Sequence, residues 1–227
     1  MNKRLICCFL ILLVASNINA QSSIAFYDQL DYTDNTYQCL KFYKVGTQIV
    51  DGFTDHTTIF SGQIQGKINR ALKQGISTDM LFDPCVNTAR QETFFTPEYQ
   101  VTSFSKYKEL NIQTIWFNVI QEADPQCVWS TDANLNCQIL KKYISLLQAQ
   151  LGKQIGIRSS SLDWSNIFGT TTNCSNFSNL PLIYMHHDRM PNFQDWQDQQ
   201  FGQWKGPMMK EYDITTICEI NTPLFAY

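Results

Sequence analysis

Apolar residues in this chain occur either in short runs, typical of buried strands, or at helical spacing over longer stretches. Strand-like runs cover residues 24–27, 48–50, 80–82, 112–120, 155–157 and 182–184. Helical spacing covers 62–73 and, most clearly, 133–151, where Thr131 or Asp132 can cap the start and Gly152 the end. A further helix is expected to close at 107–110.

The last third of the chain has a different pattern, with strand-like runs at 207–212 and 217–220 and little helix between them. Strand–helix alternation followed mainly by strands predicts an α/β fold. We expect an irregular, TIM-like β/α barrel in which several helices of the C-terminal third are missing. The chemistry of such barrels lies at the C-terminal ends of the strands, so polar residues there are candidate site residues.

The N-terminus resembles an export signal. Lys3 and Arg4 precede an apolar run over 5–15, and a polar stretch then leads to Ala20. That run is shorter than the roughly 20 residues of a membrane-spanning helix. We expect a signal peptide at 1–20, a single barrel domain at 21–227, and a destination that is secreted or phagosomal/lysosomal.

Six cysteines follow residue 20: Cys39, Cys85, Cys127, Cys137, Cys174 and Cys218. An even number in an exported chain predicts three disulfides, although six cysteines allow about 15 pairings. Cys127 and Cys137 are expected to close one local loop. No Cys-x-x-Cys or Cys/His cluster is present, so no metal site is predicted. Asn173-Cys174-Ser175 and Asn176-Phe177-Ser178 are glycosylation sequons.

Charge excludes some classes of partner. The chain has 17 Lys and Arg against 20 Asp and Glu, a net charge of −3. This balance provides no basic footprint for nucleic acid or for an anionic membrane, and we expect a monomer. Neither a glycine-rich phosphate loop nor a Gly-x-Ser-x-Gly elbow occurs.

Several segments, in their order and spacing, resemble the family 25 glycoside hydrolases, the Chalaropsis-type lysozymes, in the form found in protists and nematodes. The segments are Gln38-Cys39-Leu40-Lys41, Thr114-Ile115-Trp116-Phe117, Ile155-Gly156-Ile157, Asp163-Trp164-Ser165, Leu180-Pro181-Leu182-Ile183-Tyr184-Met185-His186-His187-Asp188 and Lys210-Glu211-Tyr212. The resemblance implies an eight-stranded irregular barrel. It also implies cofactor-free hydrolysis of the β-1,4 bond between N-acetylmuramic acid and N-acetylglucosamine in peptidoglycan.

The same resemblance implies acidic residues at the end of the first strand, as an Asp-x-Glu pair ending the fourth, and near the end of a later strand. Asp28 matches the first position, and Asp31 competes for it if the alignment is shifted. The pair, however, falls on Asn118-Val119-Ile120, and neither Asn nor Ile can supply a proton. Loss of general acid catalysis costs about 10²–10⁴ in rate.

Glu122 is the candidate replacement for this acid. Strand residues alternate faces, so a strand that continues to Glu122 would place it on the side of Asn118 and Ile120, about 6.6 Å beyond Ile120. A bulge can draw it back toward the site. We therefore predict Asp28 and Glu122 as catalytic residues. Asn118, Tyr184 and Asp188 are predicted to bind substrate, the last two because they lie in the Tyr184–Asp188 segment of the resemblance.

Three functions remain open. The first is a secreted lysozyme directed at peptidoglycan, with activity that is weak or lost. The second is an inactive pseudoenzyme that binds cell-wall glycan or a protein partner. The third is a structural glycoprotein that binds no sugar. Four aromatic residues can either line a glycan groove or form core: Tyr27, Trp116, Tyr184 and Trp204.

Overall fold

A computed structural model describes residues 24–28, 33–52, 64–87, 96–121 and 124–227 of the 227-residue chain. Eight strands form a closed barrel in chain order. They are β1 (Ile24–Asp28), β2 (Val45–Asp51), β3 (Ser77–Phe82), β4 (Thr114–Val119), β5 (Gln154–Ser159), β6 (Leu182–Met185), β7 (Met209–Ile217) and β8 (Ile220–Ala226).

Neighbouring strands from β1 to β7 are parallel. The last strand, β8, is antiparallel to both β7 and β1 and closes the barrel between them. The predicted TIM-like barrel is confirmed, with one antiparallel strand at its seam. Because β1–β7 run the same way, their C-terminal ends meet at one end of the barrel.

Helices flank the first five strands: α1 (Asp34–Phe42), α2 (Ile64–Lys73), α3 (Pro97–Phe104), α4 (Ala133–Leu151) and α5 (Ser161–Phe168). The longest, α4, has the predicted bounds because its end signals are local. The Asp132 carboxylate accepts hydrogen bonds from the backbone N–H groups of Asn134 and Leu135. Gly152 ends the helix in the left-handed conformation, at φ 63°.

The helix expected to close at 107–110 ends earlier, as α3 followed by a short 3₁₀ turn over Ser105–Tyr107. No α-helix follows α5 in the described chain, where short 3₁₀ segments take over. The prediction of one strand over 217–220 is wrong, because Ile217 ends β7, Ile220 begins β8 and the two residues between them form the turn. Cys218 and Glu219 adopt φ values of 53° and 67°, as a two-residue hairpin turn requires.

Strand alternation divides the core into two parts. Inward-facing residues fill the barrel: Ala25, Ile49, Leu81, Trp116, Ile183, Met209 and Phe225. Outward-facing residues such as Phe82 and Phe117 pack against the helices. Gly156 admits the Trp116 ring, because a Cβ at this position would lie 2.4 Å from it. The filled interior leaves the polar residues further along the strands at the open end.

Three disulfides are present, as predicted: Cys39–Cys218, Cys85–Cys127 and Cys137–Cys174. The predicted Cys127–Cys137 loop is wrong. Cys127 lies against the segment after β3, where Asn87 Nδ2 also donates to the Gln126 carbonyl. Cys137, on the first turns of α4, instead faces the loop after α5. Within the described ranges, no helix combines the length and apolar character that crossing a membrane needs.

Candidate functional site

A pocket of about 280 Å³, here called the mouth, opens at the C-terminal ends of the strands. Its walls are largely apolar: Ile49, Leu81, Ile120, Met185, Ile214, Pro223 and Phe225. Five polar side chains also face it: Asp83, Asn118, Arg158, His187 and Glu211. An apolar cleft with a few convergent polar groups is typical of small-ligand and sugar sites.

The five polar side chains form one chain of hydrogen bonds across the mouth. Asn118 Nδ2 donates to Asp83 Oδ1 at 2.9 Å, and Arg158 Nη1 donates to Asn118 Oδ1 at 2.6 Å. Arg158 also donates to Glu211 Oε2 through Nε at 2.8 Å and Nη2 at 2.7 Å. His187 Nε2 lies 2.8 Å from Glu211 Oε1. This chain of hydrogen bonds links residues at or just beyond the ends of β3, β4, β5 and β6 to Glu211, near the start of β7.

Glu211 is buried and ionised within this chain of hydrogen bonds. Burial favours its neutral form, but the charge of Arg158 and the hydrogen bonds from Arg158 and His187 outweigh burial, so the pKa of Glu211 is lowered. The hydrogen bond to Glu211 raises the pKa of His187 in turn. Glu211 therefore accepts hydrogen bonds and is unsuited to donate a proton to a leaving group.

The end of β4 presents no carboxylate to the mouth in its described part. Asn118 and Ile120 both line the pocket. The Ile120 carbonyl accepts a hydrogen bond from Trp129 Nε1 at 3.0 Å, and Gln121 N donates to Asp163 Oδ1 at 2.9 Å. These bonds hold the backbone just before Glu122, which itself lies outside the described residues.

A second polar cluster, here called the outer network, lies beside the mouth: Tyr184, His186, Asp188, Asp195 and Lys210. The fully buried Lys210 ammonium lies 2.7 Å from Asp188 Oδ2 and 2.8 Å from Asp195 Oδ1. Tyr184 OH donates to Asp195 Oδ2, and His186 Nδ1 lies 2.6 Å from the same oxygen.

The charge state of the outer network follows from these contacts. Partial burial opposes ionisation of Asp195, but hydrogen bonds from Lys210, Tyr184 and His186 outweigh it and lower its pKa to about 2. His186, Asp188 and Asp195 offer metal-ligand atoms within 4.8 Å of one another. The Lys210 ammonium already supplies a positive charge to both carboxylates, so this cluster fits a lysine better than a metal ion.

The five predicted site residues therefore fall into different places. Asn118 lines the mouth, whereas Tyr184 and Asp188 belong to the outer network. Asp28 ends β1 opposite Val50, and its side chain, like Glu122, lies outside what the structure describes. The roles of all five stay predictions.

Of the four aromatic residues, Trp116, Tyr184 and Trp204 are core, each no more than 4% exposed. The Tyr27 side chain is not described. A role of Tyr184 in binding would therefore act through Asp195 and the residues around it.

Sequence reasoning missed Asp83, Arg158 and Glu211 as mouth residues and Asp195 as the centre of the outer network. The one sequence pattern that could have pointed to any of them is strand alternation. It applies to Arg158, because this residue pairs with Asn118 in the β4–β5 register. Asp195 lies in a 3₁₀ segment, Gln194–Asp198, for which no periodic pattern exists.

A second pocket extends the mouth into a groove. It is lined by Ser160, Ser161, Leu162, Asp163, Met185, His186, His187 and Gln199. Met185 and His187 line both pockets, so the two are continuous. The groove therefore passes from the β7–β8 hairpin, over the barrel, to the start of α5.

A family model described as Lysozyme-like protein 1 matches residues 18–212. The chain belongs to this lysozyme-like family. It is 27% identical over 228 residues to probable GH family 25 lysozyme 3 of Dictyostelium discoideum, covering 99% of this chain but 44% of that protein. It is also 27% identical over 220 residues to Counting factor 45-1 of the same organism, covering 93% of this chain and 69% of the relative. The chain thus spans less than half of the first relative.

Solved structures share the fold. A muramidase from Acremonium alcalophilum matches with a TM-score of 0.69 at 10% identity, over 90% of this chain and 91% of that chain. A family GH25 lysozyme from Aspergillus fumigatus matches at 0.66 and 12% identity, over 91% and 93%. The predicted resemblance to family 25 lysozymes is confirmed by the family match, and these structures confirm the barrel.

Proposed function

We propose that this barrel binds peptidoglycan glycan strands in the groove across its mouth and cleaves them weakly or not at all. The observation that carries the proposal is the end of β4, where Asn118 and Ile120 face the mouth in place of the family's Asp-x-Glu pair. Glycoside cleavage needs one group to protonate the leaving oxygen and a second to stabilise or trap the oxocarbenium-like centre. Asn118 and Ile120 have no carboxyl group with which to fill these two roles.

The described carboxylates around the mouth do not replace the missing acid. Glu211 is held ionised by Arg158 and His187, and Asp195 by Lys210, so both pKa values lie below their ordinary ranges. Asp83 Oδ1 accepts a hydrogen bond from the Asn118 amide nitrogen, and the Asn118 amide oxygen accepts one from Arg158. The loss of general acid catalysis corresponds to about 10²–10⁴ in rate.

Binding, in contrast, has the surface it needs. The groove combines apolar side chains that suit sugar faces with donors and acceptors from Ser160, His187 and Gln199. Kinship with lysozymes supports bacterial cell-wall glycan as the ligand, and a structure matching at a TM-score of 0.60 is a pneumococcal autolysin in complex with a synthetic peptidoglycan ligand. Three disulfides support a secreted or digestive-vacuole setting.

The second candidate function is a muramidase that uses Glu122 as a relocated acid with Asp28. It is favoured by the anchoring of the backbone at Ile120 and Gln121, which keeps the two residues that precede Glu122 at the groove. In that case the chain would be an active member of its family with one displaced carboxylate.

The experiment combines co-sedimentation with insoluble peptidoglycan and release of soluble reducing ends, at acidic and neutral pH. We expect the wild type to sediment with the wall and to release no fragments above the level of Glu122→Gln. Glu219→Gln, in the β7–β8 turn, is the matched control. Release that disappears in Glu122→Gln alone establishes the muramidase. Absence of both sedimentation and release contradicts glycan binding and leaves the structural glycoprotein.

A further inference from the structure

The two glycosylation sequons lie in one loop, between α5 and β6. This loop is fixed to α4 by the Cys137–Cys174 disulfide and by Phe177, a buried residue of the 3₁₀ turn Ser175–Phe177. The loop is thus an ordered surface feature, so its two candidate asparagines can be compared by their contacts.

Asn173 is used by the fold itself. Its Nδ2 donates to the Phe168 carbonyl at 2.8 Å, satisfying a free acceptor at the end of α5. Its carbonyl accepts from Trp164 Nε1 at 2.9 Å, and its backbone N–H donates to Thr170 Oγ1 at 3.2 Å. The middle residue of its sequon, Cys174, is in a disulfide. A sugar on Nδ2 would have to share space with the α5 end.

Asn176 differs from Asn173 in its contacts. Both residues are exposed, but the Asn176 carboxamide makes no hydrogen bond to the described residues, whereas Asn173 Nδ2 is held by the Phe168 carbonyl. Asn176 borders a separate pocket of about 280 Å³ between the 3₁₀ turn and the outer side of α4, with Lys141, Ser145 and Gln148 along it. This pocket shares none of its described lining residues with the mouth. A substituent on Asn176 therefore has open space and leaves the mouth unobstructed.

We propose that Asn176 carries an N-linked glycan and that Asn173 does not. In the modification, Asn176 Nδ2 loses a proton and bonds to C1 of the first N-acetylglucosamine of a lipid pyrophosphate-linked oligosaccharide. The bond from C1 to the pyrophosphate oxygen breaks, and the lipid pyrophosphate leaves. The proposal depends on export of the chain and is independent of whether the mouth binds glycan.

The test uses the full chain behind a supplied secretion leader in eukaryotic cells, with only the secreted fraction scored. Amidase removal of N-glycans in ¹⁸O-water converts each occupied Asn to a heavy-labelled Asp. We expect peptide mass spectrometry to find the label at Asn176, and one amidase-sensitive gel shift. Label at Asn173 alone, label at both residues, or no label in the secreted protein overturns the proposal.

Variants separate loss of the glycan from loss of the fold. Asn176→Gln and Ser178→Ala should both abolish the gel shift, whereas Ser178→Thr should retain it because Thr also completes the sequon. Asn173→Gln and the neighbouring Asn179→Gln should leave the shift unchanged. Titration for free thiols checks that each secreted variant has closed its three disulfides.

Discussion

The mouth and the outer network each hold a cation against a carboxylate, yet the two arrangements have different consequences. In the mouth, Arg158 joins Asn118 to Glu211 beside an open pocket. In the outer network, the fully buried Lys210 joins Asp188 to Asp195, which Tyr184 and His186 also contact. One arrangement shapes a surface that can meet a ligand, and the other fastens the segment after β6 to the barrel. Residue type alone does not distinguish these roles.

The largest expected effect comes from rebuilding the end of β4. Asn118→Asp combined with Ile120→Glu restores the Asp-x-Glu pattern at two positions that face the mouth. If the missing acid is what limits cleavage, release of reducing ends from peptidoglycan should rise by about 10²–10⁴ over the wild type.

Each single variant serves as a control for the double one, and Asp163 in its contact with Gln121 should be left intact. A double variant that folds, sediments with peptidoglycan and still releases nothing would show that more than the β4 carboxylates is missing. Sedimentation equal to wild type is needed for either interpretation.

Removing the cation of the outer network should be the most damaging change to stability. Lys210→Met leaves Asp188 and Asp195 without their buried partner, and breaking such a pair typically costs about 3–5 kcal/mol. Chemical denaturation should show this loss in the free energy of unfolding. Lys205→Met, at an exposed position, should change it little. A loss below about 1 kcal/mol would contradict the fastening role, since that is the range of surface ion pairs.

Inside the barrel, Asp79 should make the protein more stable in mild acid. Burial outweighs the hydrogen bonds from Trp116 and Thr114 and raises the pKa of Asp79 from 3.8 to about 6. Because the folded form holds the proton more tightly, this contribution is full below pH 3.8 and is lost as pH rises through 6. The expected change is on the order of 3 kcal/mol, at about 1.4 kcal/mol per pKa unit.

Denaturation of Asp79→Asn between pH 4.5 and 7.5 checks this expectation. The variant should lose most of the acid-side gain that the wild type shows, while Asp198→Asn, at an exposed position, should retain it. An unchanged pH dependence in Asp79→Asn would assign the effect elsewhere.

The smallest effect is expected in the mouth. The hydrogen bond to Glu211 raises the pKa of His187 in the folded protein. The pair therefore stabilises the fold fully below the unfolded pKa of histidine, near 6.5, and this contribution is lost as pH rises through the folded value. The ring is partly exposed, so screening keeps the effect small. His187→Gln should narrow the difference in Tm between pH 5.5 and pH 8. A difference equal to wild type would show that the pair with Glu211 does not matter for stability.

Local features were the ones that the sequence predicted well. The bounds of α4 follow from Asp132, Gly152 and an apolar stripe within one segment, and all three act over a few residues. The strand over 217–220 was predicted wrongly because an apolar residue on each side of a tight turn imitates a short strand. The disulfide pairing failed for a related reason, since nearness in sequence between Cys127 and Cys137 does not place their Cβ atoms together.

By itself, the sequence determined the alternation of strands and helices in the first two thirds of the chain, the family, and the absence of a carboxylate at positions 118 and 120. These depend on periodicity and on residue identity, which the chain carries position by position. Only the tertiary structure decided that Arg158 neutralises Glu211, from 53 residues away, and that Lys210 holds Asp195. Such pairs form because barrel closure brings the ends of distant strands together, and burial there makes each charge depend on its partner.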